Sequence, residues 1–93
     1  MYATIRSYSG SGLADALATR ESDIRQVIAT IAGFYAYYLV RTTDGNAVTI
    51  SIFDDQAGAE ESTRAAAAWV GENMADLATS PPQVTTGEVV FSL

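Results

Sequence analysis

Apolar and polar positions set out the elements of this chain before any single residue does. Tyr2 to Tyr8 mixes β-branched and aromatic residues and predicts a strand, closed by Ser9-Gly10-Ser11-Gly12. Leu13, Leu17, Ile24, Val27, Ile28 and Ile31 then recur at helical spacing, with Asp15, Arg20, Glu21 and Arg25 largely on the other side. One helix is expected over this stretch, with Ser11 as its N-cap and Gly33 as its C′ residue.

Phe34 to Val40 is the strongest strand signal, and Ala47 to Phe53 is its return partner. Between them, Asp44-Gly45 suits a two-residue turn that needs positive φ at both positions. Asp54-Asp55 offers an N-cap to a second helix from about Gln56 to about Leu77, stopped by Ser80-Pro81-Pro82. Its interior, Arg64 to Val70, has high helix propensity, and Ala59, Ser62, Ala66, Trp69, Val70, Asn73 and Leu77 form one stripe of mostly small residues. A last strand is expected from about Val84 to Leu93. The order β-α-β-β-α-β predicts an α+β ferredoxin-like domain spanning residues 1–93: a four-stranded antiparallel sheet with two helices on one face.

A two-residue turn would pair Thr43 with Asn46 and Tyr38 with Ser51. One hairpin face then carries Tyr35, Tyr37, Leu39, Arg41, Val48, Ile50 and Ile52. The other carries Phe34, Ala36, Tyr38, Val40, Thr49, Ser51 and Phe53. Neither is a plain solvated face, and two helices cover only one of them. An uncovered apolar and aromatic face marks an interface, so a homodimer with sheets packed face to face is expected. Size points the same way. A chain of 93 residues buries only ~60–65% of its unfolded surface. It has no Cys or His to supply a disulfide or a metal staple of those ligands.

The net charge of −6 argues against nucleic acid, whose phosphates call for basic residues, and against anionic membrane surfaces. All five basic residues are Arg, so Schiff-base chemistry is ruled out. No apolar run approaches membrane-spanning length, and the N-terminus lacks a basic segment followed by an apolar one. A cytoplasmic protein is expected.

Taken together, Gly33-Phe34, Tyr38-Leu39, Asp44-Gly45, Ile50 to Phe53 followed by acids, and an Ala-rich helix bearing Trp69 resemble the dimeric α/β barrel superfamily. The chain is most similar to its small antibiotic biosynthesis monooxygenase-like domains. The resemblance covers nearly the whole chain. It implies two ferredoxin-like sheets packed as a barrel and, where a site exists, a site between sheet and helices of each subunit. By position, Phe53 stands where several relatives carry a cavity-facing Trp. That places Phe34, Tyr38, Ser51, Phe53 and Trp69 as candidate ligand-binding residues, and Tyr35, Tyr37, Leu39, Ile50 and Ile52 at the dimer interface. Trp69 resembles the second-helix Trp of cofactor-independent monooxygenases. Those enzymes carry an Asn one turn earlier, where this chain has Ala65. Haem-degrading relatives need a His, and there is none.

The acid–base inventory is Asp, Glu, Tyr and Arg. The pairs Asp54-Asp55 and Glu60-Glu61 read as helix capping and charge near a helix N-terminus rather than as a carboxylate dyad or an oxygen-ligand metal site. No metal or cofactor is expected. Arg6, in an apolar strand, would face an anionic ligand or pair with an acid such as Glu88, the second being favoured. Gly10-Ser11-Gly12 lacks the context of a phosphate loop. Three functions stay open. The first is a homodimer that binds a small apolar or aromatic molecule between sheet and helices. The second is a cofactor-independent monooxygenase acting on a polycyclic phenol or quinol, and the third is a purely structural or interaction protein.

Overall fold

The computed structural model describes all 93 residues. In chain order it contains β1 (Tyr2–Tyr8), α1 (Leu13–Ala18), α2 (Glu21–Ile28), β2 (Phe34–Arg41), β3 (Ala47–Phe53), α3 (Gln56–Asn73) and β4 (Gln83–Glu88). The strands form one antiparallel sheet in the order β2-β3-β1-β4. The helices pack on one of its faces, α1 over β2 and β3, α3 over β1 and β3, with α2 against α3. This is the expected α+β arrangement, with the first crossover in two pieces. No helix is long and apolar enough to cross a membrane.

The first helix breaks at Thr19-Arg20. Leu17 and Ile24 are two turns apart, so an unbroken helix would press Arg20 and Glu21 towards the sheet. Instead, the Thr19 hydroxyl donates to the Ala16 carbonyl at 2.7 Å, and Arg20 leaves the helical region at φ −113°. Gly12, not Ser11, is the N-cap, and no side chain caps α1. Gly33 does have positive φ, but it lies in the Ile31–Phe34 turn, five residues beyond the end of α2. The N-cap of α3 is Asp55, whose carboxylate accepts from Gly58 N at 2.9 Å. That helix ends at Asn73, whose side chain donates to the Trp69 carbonyl at 2.9 Å. β4 ends at Glu88 because β1, its neighbour, begins opposite it, and beyond one bond from Val89 N to Met1 O the last residues have no strand to pair with.

The hairpin corrects the expected register. Thr42 N donates to Asn46 O at 2.9 Å and Gly45 N to Thr42 O at 3.0 Å, so three residues, Thr43-Asp44-Gly45, make the loop. Only Gly45 has positive φ, at +88°. A turn followed by one left-handed residue is the usual three-residue hairpin. The Thr42 hydroxyl closes it, receiving Asn46 N at 2.9 Å and donating to the Asp44 carboxylate. The extra residue moves β2 by one place: Tyr37 opposes Ser51, Leu39 opposes Thr49 and Tyr38 opposes Ile50. A one-residue slip exchanges the two faces. A β-bulge between Phe34 and Ala36 then brings Phe34 back to the helix side, opposite Phe53.

Small residues let α3 lie close to the sheet. Ala59 and Ser62 are fully buried, and a Cβ added at Gly58 would stand 2.9 Å from Phe53 Cδ1 and 3.0 Å from the Ala32 carbonyl. At Gly71, in the same helix, a Cβ meets nothing within 4 Å. Gly58→Ala is therefore expected to destabilise the fold by about 1–3 kcal/mol through overpacking. Gly71→Ala should stabilise it by about 0.5–1 kcal/mol through helix propensity. Urea denaturation of the two variants checks the pair, and equal effects would disprove the close approach at Gly58.

Candidate functional site

The inward-facing positions of the two central strands are unusually polar. Thr4, Arg6 and Tyr8 on β1 and Ala47, Thr49, Ser51 and Phe53 on β3 all turn towards the helices and are buried. They divide the interior. One apolar cluster gathers Tyr8, Leu13, Ala14, Leu17, Ala47 and Met74, and a second gathers Ile28, Phe53 and Ala59. Between the two lies a polar layer of Thr4, Arg6, Thr49, Ser51 and Ser62.

Arg6 is the centre of that layer, 2% exposed. Its guanidinium donates to Ser51 Oγ at 2.9 Å, Ser62 Oγ at 3.4 Å and Thr63 Oγ1 at 3.5 Å. No carboxylate reaches it. The other four arginines form the surface ion pairs Arg20–Asp23, Arg25–Glu21, Arg41–Asp15 and Arg64–Glu61. The expected Arg6–Glu88 pair does not form, because β1 sets Arg6 opposite Val84 and Tyr2 opposite Glu88. Removing an ion from water costs several kcal/mol even after relaxation. A good hydrogen bond to a charged group returns about 1.5–3 kcal/mol. Only the Ser51 bond is short, and Arg6 Nε and Thr49 Oγ1 make no well-formed hydrogen bond, although the Tyr8 hydroxyl lies close to Arg6 and the Tyr37 hydroxyl close to Thr49. The cation is thus underpaired.

Two phenols stand beside it. Burial pushes both Tyr8 and Tyr37 above the usual tyrosine value, and the positive charge of Arg6 opposes that rise without cancelling it. Both hydroxyls therefore stay protonated near neutral pH and are unsuited to act as bases there.

Trp69 closes the layer on the α3 side. The Arg20 guanidinium lies over its ring at 5.2 Å, and Arg20 is itself held by Asp23 at 2.6 Å and Asn73 at 3.3 Å. An inner chamber of about 20 Å³ is bounded by Arg6, Tyr8, Tyr37, Thr49 and Trp69, among others. An outer cleft of about 390 Å³ opens between α1–α2 and β2, and eight of its ten lining residues are hydrophobic. Leu17, Ile24, Ile28 and Tyr37 line both spaces and form the threshold between them.

The structure sorts the sequence candidates as follows. Phe34 and Phe53 meet edge to face at 5.8 Å on the helix side, Ser51 holds Arg6, and Trp69 bounds the inner chamber. Tyr38 does not join them. The three-residue hairpin loop turns it to the open face, 56% exposed opposite Ile50, and Tyr37 takes its place inside. By the same shift Tyr37 and Leu39 leave the expected interface and line the outer cleft, while Ile50 and Ile52 stay on the open face. Tyr35 is 61% exposed at the bulge on the sheet edge. Sequence reasoning missed the central position of Arg6. The signal was the run of small hydroxyl residues on β3 facing a small-residue stripe on α3, which leaves room for one long side chain.

No family model matches the chain, and no curated protein matches it. Several solved structures do. A protein of unknown function from Nitrosomonas europaea superposes with a TM-score of 0.77 at 22% identity, covering 99% of this chain and 91% of that chain. A monooxygenase of Streptomyces coelicolor, in complex with nanaomycin D, gives 0.74 at 16% identity over 99% of this chain and 89% of that one. A haem-degrader of Mycobacterium tuberculosis, with two haems bound in its active site, gives 0.73 at 15% identity over 100% and 99%. At such identities the likeness is one of fold.

The raised phenol pKa values give a pH signature. A group whose folded pKa exceeds its unfolded value stabilises the fold fully below the unfolded pKa, here about 10.0, and that contribution is lost as pH rises through the folded value. The urea midpoint is expected to fall above pH 10, and Tyr8→Phe and Tyr37→Phe should each flatten the fall. A midpoint independent of pH in that alkaline window, with tyrosinate absorbance rising normally, would contradict the burial of these phenols beside Arg6.

Proposed function

Starting from the ferredoxin-like fold of the antibiotic biosynthesis monooxygenase-like domains, which this chain has, we propose that the protein is a single-domain cytoplasmic homodimer. In this reading each subunit binds a small apolar or aromatic ligand between sheet and helices. The outer cleft carries the ligand half of the proposal. Its walls, Leu17, Ile24, Ile28, Phe34, Tyr37 and Leu39 among them, suit a flat hydrophobic body, and about 390 Å³ lies within the usual range for a small-molecule site. Phe34, Tyr37 and Trp69 supply the aromatic surfaces, with Ser51 and Phe53 behind them.

The dimer half rests on the open sheet face. Across three strands, Tyr38–Ile50–Ile5, Val40–Val48–Ser7 and Ala36–Ile52–Ala3 lie side by side as a mostly apolar belt. Ile5, Tyr38 and Val40 are 38%, 56% and 40% exposed. A patch of this kind at the centre of a sheet is what a second copy would cover. In this reading the interface is Tyr38, Val40, Ile50 and Ile52 with Ile5, and Tyr35 lies at its rim.

A second reading, a cofactor-independent monooxygenase acting on a polycyclic phenol or quinol, draws support from Trp69, which bounds the small chamber beside the cleft, and from the nanaomycin-bound neighbour of like fold. In it, the substrate itself would supply electrons to oxygen, since neither buried phenol is poised to act as base.

Three measurements separate these readings. Native mass spectrometry should give twice the 9.8 kDa chain, and Ile50→Glu should give monomers; a wild-type monomer would remove the dimer. Titration with 2-naphthalenemethanol, followed by Trp69 emission, should saturate, and Ala29→Phe, which fills the cleft, should abolish it. No saturation by this or comparable neutral bicyclic aromatics would defeat the ligand-binding reading and favour a structural role. Oxygen consumption with anthrone-like and quinol substrates would select the enzyme, and its absence would leave the binding protein.

A further inference from the structure

A buried cation without a counter-ion is a costly feature, and the geometry around Arg6 shows what would complete it. The residue is 2% exposed, its Nε makes no well-formed hydrogen bond, and neither does Oγ1 of the adjoining Thr49, 3% exposed. Both line the inner chamber, where Tyr8 and Tyr37 add two hydroxyl-bearing rings. With about 20 Å³ the chamber admits one water-sized group, since roughly 10–15 Å³ suffices for one. Leu17, Ile24, Ile28 and Tyr37 also line the apolar outer cleft, so these four side chains stand between the two spaces. Nine of the eleven residues round the chamber are hydrophobic, so Arg6 and Thr49 are its points of hydrogen-bonding capacity, and the space suits a single polar atom on a hydrophobic body.

We infer that the ligand of this site is an aromatic acid, a carboxylate or an acidic phenol ionised to its phenolate, whose anionic oxygen enters the inner chamber and pairs with Arg6. This rests on the ligand-binding reading above and specifies it. Arg6 Nε and Thr49 Oγ1 supply donors that otherwise make no well-formed hydrogen bond, and the underpaired charge gains the acceptor it lacks. Ser51, Ser62 and Thr63 hold the guanidinium in place without neutralising it, so the positive charge remains available to the ligand. Tyr8 and Tyr37, being protonated, add hydroxyl donors and no competing negative charge. In an empty subunit the same arrangement is a liability, because a buried ion is often worth less to stability than an apolar replacement of similar size.

The test compares 2-naphthoate with naphthalene-2-carboxamide, a neutral probe of nearly the same shape, by titration calorimetry on the full chain. The acid should bind about ten- to a hundredfold more tightly, the ratio that one charge-assisted hydrogen bond supplies. In Arg6→Met the acid should fall to within about twofold of the amide, with the urea midpoint equal to or above that of the wild type. The phenolate source is read separately with 4-nitrophenol, whose bound form should ionise at lower pH than the free phenol, seen by its visible absorbance. Acid and amide binding equally to the wild-type protein, with no shift of 4-nitrophenol ionisation, would overturn the inference while leaving a neutral-ligand site intact. Failure of every aromatic probe to bind would instead defeat the ligand-binding reading itself. The wild-type comparison decides even if Arg6→Met fails to fold.

Discussion

Arg6 stands where a small protein would ordinarily place an aliphatic side chain, at the middle of a central strand beneath both crossover helices. Much of the interior is arranged around it. Ser51 on β3 and Ser62 and Thr63 on α3 turn hydroxyls towards the guanidinium, and these short side chains leave the room it occupies. The apolar core is consequently two clusters rather than one, joined by Ile24, which packs on both. Leu13, Leu17 and Met74 hold one end of the domain, and Ile28, Phe53 and Ala59 the other.

This division shapes the site. The hydroxyl-lined centre lies against the inner chamber, most of whose walls are apolar, and the two helices of the first crossover meet β2 on the flank of that centre. The break at Thr19-Arg20 sends Arg20 outward to stack on Trp69, which ties α2 to α3. Ile24 and Ile28 remain above Tyr37, and the space left between them and the β2 edge is the outer cleft. A hydrophobic cleft thus lies beside a buried cation within one subunit. The other face of the sheet has a different character, because Ile5, Tyr38, Val40, Val48, Ile50 and Ile52 present a belt with no helix over it.

Solved structures of like fold include a haem-degrader and an oxygenase that binds nanaomycin D, so this scaffold accommodates unrelated chemistry in different chains. Without His the chain cannot hold haem iron through an imidazole, and Ala65 stands one turn before Trp69. Arg6, Thr49, Tyr8 and Tyr37 take over the centre.

The sequence by itself determined the order of strands and crossovers, the antiparallel sheet, a cap at Asp54-Asp55 and the close fit of α3, but not the break of the first helix at Thr19-Arg20. Each of these follows from local rules: alternation in the strands, helical spacing, capping chemistry and a stripe of small residues. The family resemblance also marked Phe34, Tyr38, Ser51, Phe53 and Trp69 as helix-side candidates, and all but Tyr38 lie there. Only the tertiary structure decided which aromatic of β2 faces the helices. That depended on one residue of loop length: Asp44-Gly45 signals a hairpin, but the Thr42 hydroxyl network extends it to three residues, and Tyr37 and Tyr38 exchange faces. Only the tertiary structure, likewise, decided the place of Arg6. Strand alternation put its side chain on the same face as Thr4 and Tyr8. That the face is roofed by Ser62 and Thr63, with Glu88 held away opposite Tyr2, depends on how distant segments meet, and such meetings fix the surroundings of a charge far more than its neighbours along the chain do.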